Sequence, residues 1–293
     1  RRVVGDRHVH ERHRRRSVRD REGAAARGLV AAQRGVADRE RGTVALFITC
    51  LADLMRPATA FAAVRLLESA GFTVVIPEQQ SCCGQPGYNN GDYRGARALA
   101  QRTIAQLEAY PHVVLPSGSC AGMLRHHYPA LLEGEWQVRA QALAGRVYEL
   151  TQFLREVADY TPQPVTLAGP VAYHDACAGL RELGIRREPR ELLQAAGVEV
   201  RELAQRDVCC GFGGTFCAKM PEISAKMADD KLRDIEASGA RDVVAGDIGC
   251  LLALAGRARR LNKDLRFRHI AEVLAGDMDD DGIGAPPRSG RGH

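Results

Sequence analysis

No stretch of the chain reaches the roughly 18 consecutive apolar residues that a membrane-spanning helix needs, which excludes a transmembrane reading. The arginine-rich start, "RRVVGDRHVHERHRRRSVRDREG", is followed by no apolar run, so an export leader is not expected. Aromatic residues make up only 5% of the chain, with one Trp, so the core has to rest on Ala, Val, Leu and Ile. No Walker motif, flavin motif or Ser-His-Asp arrangement stands out, and "GFGG" (211–214) lacks the spacing of a dinucleotide fingerprint. The close C-x2-C knuckles of common zinc and iron–sulfur sites are missing too.

A strong basic excess is absent from the body. Residues 1–42 hold 13 arginines and 6 acids, a net +7, whereas the whole chain is +5, so the other 251 residues carry −2. That balance argues against nucleic-acid binding by the body. Residues 1–42 are expected to be a disordered basic extension, and 276–293 a disordered tail.

Cysteine, by contrast, is plentiful. Nine cysteines with no export signal point to a reducing, cytoplasmic setting, where clustered thiols more often bind metal or do redox chemistry than form structural disulfides. Eight of them repeat. Cys50 precedes the pair Cys82-Cys83 by 32 positions, and Cys177 precedes Cys209-Cys210 by 32; Cys120 then follows Cys83 by 37, and Cys250 follows Cys210 by 40.

The flanking segments repeat as well. "TVALFITC" (43–50) and "PVAYHDAC" (170–177) read as short strands leading to a cysteine. "AVRLLESAGFTVV" (63–75) and "RELLQAAGVEVRE" (190–202) read as amphipathic helices stopped by Gly71 or Gly197 and followed by a strand. Each C-C-G is followed by a glycine-rich turn, a long helix (93–110 or 221–240), a strand running to Cys120 or Cys250, and a further helix. The pattern predicts an α/β fold of two pseudo-symmetric lobes with parallel sheets, at 43–135 and 168–275. Residues 136–167 are expected to supply a connecting helix and a Pro-rich linker.

In open α/β sheets, sites form beyond the carboxyl ends of the strands. The topology therefore gathers Cys50, Cys82, Cys83 and Cys120 in the first lobe and Cys177, Cys209, Cys210 and Cys250 in the second. Four thiolates suit an iron–sulfur cluster or zinc, and a metal-free redox dithiol also fits. An adjacent pair gives both sulfurs to one tetrahedral ion only with strain, whereas bridging neighbouring irons is easier, which favours iron–sulfur.

"QSCCGQPGYNNG" (80–91), "LPSGSCAGMLRHHYP" (115–129), "YHDAC" (173–177), "CCGFGGTF" (209–216), "KMPEIS" (219–224) and "VAGDIGCL" (244–251) resemble the cysteine-rich CCG domain family. That family includes the CCG-bearing subunit of heterodisulfide reductase and the iron–sulfur subunit of glycolate oxidase. The resemblance covers about residues 43–275 and leans to the lactate-utilization branch. It implies an oxidoreductase subunit that passes electrons from L-lactate through iron–sulfur centres. It also implies a subunit that is inactive alone and works with a ferredoxin-like iron–sulfur protein and a companion subunit. Heterodisulfide reductase-like domains end in C-x2-C, but here Met123 and Ala253 take the second position. Four cysteines per lobe match one [4Fe-4S] cubane, and the departure weakens the heterodisulfide reductase reading. The rival readings are an assembly subunit stabilised by zinc and a thiol–disulfide reductase.

Other residues carry both a functional and a plainer reading. His174, three before Cys177 where the first lobe has Phe47, could donate a hydrogen bond or relay a proton, or be a satisfied strand-end histidine. Lys219 and Arg181 could balance cluster charge or hold a carboxylate, or be surface ion-pair residues. Cys217 is a spare thiol or a small buried residue. His126 and His127 are ligand candidates or an exposed helix end, and Asp175 caps or pairs. Gly84, Gly87, Gly211, Gly213 and Gly214 allow tight turns.

Overall fold

The structure, a computed structural model, describes residues 41–278 and 282–284. The expectations for 1–40 and for most of 276–293 fall outside those residues. Among the described residues, eight short strands form two all-parallel sheets. The first holds β1 (Thr43–Leu46), β2 (Thr73–Val75), β3 (Val113–Leu115) and β4 (Val147–Glu149), in the order β2-β1-β3-β4. The second holds β5 (Val171–Tyr173), β6 (Val200–Arg201), β7 (Asp242–Ala245) and β8 (Arg266–His269), in the order β6-β5-β7-β8. The α/β fold with two pseudo-symmetric parallel sheets is as the sequence predicts.

Two elements differ from expectation. The stretch 136–167 carries β4 as well as the Gly134–Ala144 helix, and β8 supplies the matching fourth strand of the second sheet. Both are too short and too polar ("VYE", "RFRH") to show a strand pattern; neighbouring β3 and β7 give them their pairing partners. Within the expected tail, Ile283 is buried and its N–H donates to the Phe267 carbonyl at 2.7 Å, because one apolar residue there finds a place in the second core.

The central strands are covered on both faces, as parallel sheets require. Val44 and Leu46 point into a core shared with Val171, Tyr173 and Val244 of the second sheet. Ala45 and Phe47 point instead into a core belonging to the first lobe, and Ala172 and Ala245 into one belonging to the second. The helices Pro57–Ser69 and Glu188–Ala195 end as their glycines predict. Gly71 (φ 89°) donates to Glu68 and Phe72 to Leu67, and Gly197 (φ 78°) donates to Gln194 and Val198 to Leu193. This pair of bonds satisfies the last carbonyls and turns the chain back into the next strand.

The lobes are locked together by a buried ion pair and by close backbone contact. Arg56 donates to both carboxylate oxygens of buried Glu272, which also accepts from Thr59. A Cβ added to Gly118 would stand 2.8 Å from the Gly179 Cα, so the Gly118–Gly122 and Cys177–Arg181 helices approach as closely as they do only because position 118 is glycine.

At the end of β4, the Glu149 carboxylate caps the following helix, accepting from the N–H groups of Thr151 and Gln152 and from the Thr151 hydroxyl. Burial raises this carboxyl to about 7 against the pull of those bonds. The unfolded chain releases that proton near pH 4.5, the folded chain only near 7. Rising pH across that window therefore favours the unfolded state, and stability falls by roughly 2–4 kcal/mol. Urea denaturation at pH 5 and pH 8 should show this loss in the wild type and lose most of it in Glu149→Gln. An equal pH slope in both proteins would refute the assignment.

Candidate metal centre

Sequence spacing puts the lone cysteines at strand ends; the structure moves each one onto the first turn of the helix that follows. Cys50 and Cys177 are the first residues of the helices Cys50–Met55 and Cys177–Arg181. Cys120 and Cys250 are the third residues of Gly118–Gly122 and Ile248–Arg260. The reason is that the strands stop early, at Leu46, Leu115, Tyr173 and Ala245. Free N–H groups and the positive end of a helix favour thiolate over thiol, so these positions suit sulfur ligands.

The C-C-G turns complete each set. Gly84 and Gly211 take φ of 86° and 87°, which turns each N–H back onto the first cysteine of its pair. Gly84 N lies 3.5 Å from the Cys82 sulfur, and Gly211 N lies 3.4 Å from the Cys209 sulfur. The sulfurs of Cys83 and Cys120 are 3.4 Å apart, and those of Cys177 and Cys209 are 3.9 Å apart. Hydrogen bonds from Cys50 and Cys83 pull Cys82 down to about 2, and those from Cys177 and Cys210 pull Cys209 down to about 2. The donors move up: Cys50 by its bond to Cys82, Cys83 by its bond to Cys120, Cys177 and Cys210 by their bonds to Cys209. The bond with Cys210 pulls Cys250 down, but burial together with the charges of Asp247 and Cys209 outweighs it and pushes the thiol up.

In each lobe one thiolate is thus held by neighbouring thiols. Removing the remaining protons would crowd four negative charges in a half-buried space, and a cation or cationic cluster offsets that cost. None of the nine cysteines is in a disulfide. The donor set fits a thiolate-bound metal centre of the zinc or iron–sulfur class.

The first site opens into a cavity of about 290 Å³. Cys50, Cys82, Cys83 and Cys120 line it from one lobe, and Phe212, Gly214, Thr215 and Ile248 from the other. It lies beyond β1 and β3, where the sheet order reverses and open α/β sheets form sites. Asp247 joins the two halves. One of its oxygens accepts from the Ser117 hydroxyl at 3.0 Å and the Ser119 N–H at 3.1 Å, across the lobe boundary; the other accepts from Gly249 N at 3.1 Å on its own helix. Ser117 in turn accepts from Cys120 N at 3.3 Å. One carboxylate therefore fixes the first turns that carry both Cys120 and Cys250.

Sequence reasoning did not single out Asp247, although it precedes its helix as Ser117 does, a readable N-cap signal. It also passed over Phe212, whose ring covers Gly249 so closely that a Cβ there would fall 2.4 Å from it.

The remaining candidates sort by position. Lys219 is exposed, and Arg181 is exposed and donates to the Asp207 carbonyl at 2.8 Å. Cys217 donates to the Gly214 carbonyl at 3.1 Å. His126 is exposed, while His127 meets Glu182 at 3.1 Å and packs on Tyr88. Asp175 is buried and takes two bonds from Arg190, at 2.8 and 2.9 Å. Lys231, a side chain sequence reasoning passed over, is fully buried behind the second site and donates to the Gln205 carbonyl.

His174 is completely buried, and neither ring nitrogen has a hydrogen-bond partner among the described residues, so it is not the satisfied histidine of the plainer reading. Burial, with a smaller push from Lys231, lowers it to about 4 and keeps the imidazole neutral.

Comparison with known proteins agrees with this geometry. The cysteine-rich domain named CCG matches residues 44–125 and again 171–255. Lactate utilization protein A 2 of Bacillus cereus (strain 03BB102) is 43% identical over 235 residues, covering 79% of this chain and 97% of the relative. Lactate utilization protein A of Halalkalibacterium halodurans is 44% identical over 234 residues, covering 79% and 96%. Among solved structures, a hypothetical protein from Helicobacter pylori superposes with a TM-score of 0.56 at 11% identity, over 83% of this chain. The chain spans 50% of that protein, and the likeness bears on the fold alone.

Proposed function

The chain belongs to the family of CCG cysteine-rich domain proteins, with lactate utilization protein A among its relatives, and from that premise we propose that it is the iron–sulfur electron-transfer subunit of an L-lactate oxidation system. The role in lactate utilization follows from the relatives. The finer reading, electron transfer through clusters held by Cys50, Cys82, Cys83 and Cys120 and by Cys177, Cys209, Cys210 and Cys250, rests on one observation. In each lobe four sulfurs form a chain of contacts, Cys50–Cys82–Cys83–Cys120 and Cys177–Cys209–Cys210–Cys250, at the carboxyl edge of a parallel sheet, with a glycine N–H turned toward the first cysteine of each pair.

Bound there, an iron–sulfur cluster takes up and releases single electrons. The chain's own residues hold thiolates in place, and the Phe212 and Ile248 walls of the first cavity limit the approach of water. Partner subunits, a ferredoxin-like iron–sulfur protein and a companion, withdraw the electrons from lactate in this reading, in a reducing compartment such as the cytoplasm. Among the described residues no helix is long and apolar enough to cross a membrane.

The test is metal and sulfide analysis of anaerobically purified full-length protein. Brown protein with iron and acid-labile sulfide in comparable amounts is the expected result. Colourless protein with stoichiometric zinc and no iron would instead mark a zinc-stabilised assembly subunit. Metal-free protein whose C-C pairs alkylate rapidly and turn over a disulfide would mark a thiol–disulfide reductase.

A further inference from the structure

We propose that His174 is a ligand of the second lobe's metal centre, making it a mixed imidazole–thiolate site, while the first lobe's centre is held by thiolates alone. The inference rests on the metal-centre reading above and concerns how the two lobes differ. A ring nitrogen of His174 and the sulfurs of Cys210 and Cys250 all lie within 4.8 Å of one another, and all three residues are buried. Ligand atoms around one tetrahedral ion stand about 3.5–3.8 Å apart, given metal–sulfur bonds of about 2.3 Å and metal–nitrogen bonds of about 2.0 Å, so only small side-chain shifts separate this trio from a ligand set.

The unpartnered imidazole is the second, independent observation. Buried polar groups are almost always hydrogen-bonded, and one left without a partner calls for an explanation such as a bound ion. Here both nitrogens are buried and bond to nothing among the described residues, and one of them sits near two thiols. The first lobe differs at the matching position. Phe47 N donates to Val114 O at 2.9 Å just as His174 N donates to Val244 O at 2.8 Å, so the two residues are structural equivalents, and the first lobe has a hydrocarbon ring there.

The consequence is an ordered pair of centres. With Cys177, Cys209, Cys210 and Cys250, His174 makes five candidate donors for four positions, so the imidazole takes the place of one thiolate; a neutral donor in that place lowers the negative charge around the metal and raises the reduction potential, as in clusters where histidines replace cysteines. The second centre therefore lies at higher potential than the first, and buried Lys231 adds positive charge on the same side.

The experiment uses the full chain, purified anaerobically after growth on 14N- or 15N-histidine and reduced with dithionite. Pulsed EPR should show a directly coordinated nitrogen whose pattern changes with the isotope. That coupling should vanish in His174→Phe, which copies the first lobe, and in His174→Cys, which restores an all-thiolate set; the second potential should shift downward in His174→Cys. Iron-loaded wild type without nitrogen coupling, or coupling that survives in both variants, overturns the inference and leaves the cluster reading intact. Protein lacking iron sinks the cluster reading instead. The ligand is then read at the zinc edge: a nitrogen-type scatterer at about 2.0 Å lost in His174→Phe supports His174, and an all-sulfur shell overturns it.

Discussion

Cys83→Ser will empty the first metal site and leave the second filled, and Cys210→Ser will do the reverse. Both residues are the second cysteine of a C-C-G pair and are almost wholly buried, at 2% and 1% exposure, so neither can be replaced by a solvent ligand without opening the fold. Cys83 is held against Cys120 at 3.4 Å, while its carbonyl accepts from the buried Tyr128 hydroxyl at 2.7 Å. The backbone will therefore keep its place when sulfur becomes oxygen, and the loss will report the ligand rather than the fold. Structural four-ligand sites bind metal with about 10–16 kcal/mol in all, so one thiolate ligand is worth on the order of 100-fold in affinity or more. Metal and sulfide content per chain, together with the EPR signal that remains, checks the expectation. Wild-type metal content in Cys83→Ser would remove Cys83 from the ligand set.

Gly211→Ala will be the most destabilising single change at the C-C-G turns, and Gly84→Ala will be much milder. Both glycines sit in the left-handed region, where a side chain costs about 1–2 kcal/mol. Their surroundings differ. A Cβ on Gly211 would stand 2.7 Å from the Ser224 carbonyl oxygen and 2.9 Å from the Met227 Cβ, atoms of a long helix that cannot step aside. A Cβ on Gly84 meets nothing nearer than the Leu99 Cβ at 3.5 Å, an ordinary contact. Overpacking adds about 1–3 kcal/mol at Gly211 and little at Gly84. The total for Gly211→Ala is roughly 2–5 kcal/mol, which at this chain length lowers Tm by on the order of 10 °C. Thermal unfolding of the two variants side by side is the measurement. Equal losses would show that backbone strain alone decides, and that the Ser224 helix yields.

Two relations matter most for the site, and they were hidden in different ways. The equal 32-residue lead of Cys50 and Cys177 over their C-C-G pairs is a one-dimensional repeat, so the sequence could expose it directly. His174 carried a weaker signal: the repeat shows a histidine where the first lobe has Phe47, but only its burial without a partner beside Cys210 and Cys250 marks it as a ligand candidate. Asp247 lay between these cases. Its cap on its own helix is a local pattern, but its bond to Ser117, 130 residues away, is not.

By itself the sequence determined the two-fold repeat, the parallel α/β architecture, the glycine stops at Gly71 and Gly197, and the eight cysteines that gather four to a lobe. These follow from local rules of periodicity, capping and spacing, which a single chain displays residue by residue. The tertiary structure alone decided the fourth strands, the sharing of the first site's cavity between lobes, and the difference between the two sites. Each depends on what a residue meets across the fold: β8 is a strand because β7 pairs with it, Phe212 is a cavity wall because the lobes face each other, and His174 is a ligand candidate because packing leaves its nitrogens without a partner and sets one of them near two sulfurs. Contacts of that kind depend on position in space, and position in space is set only when the whole core closes.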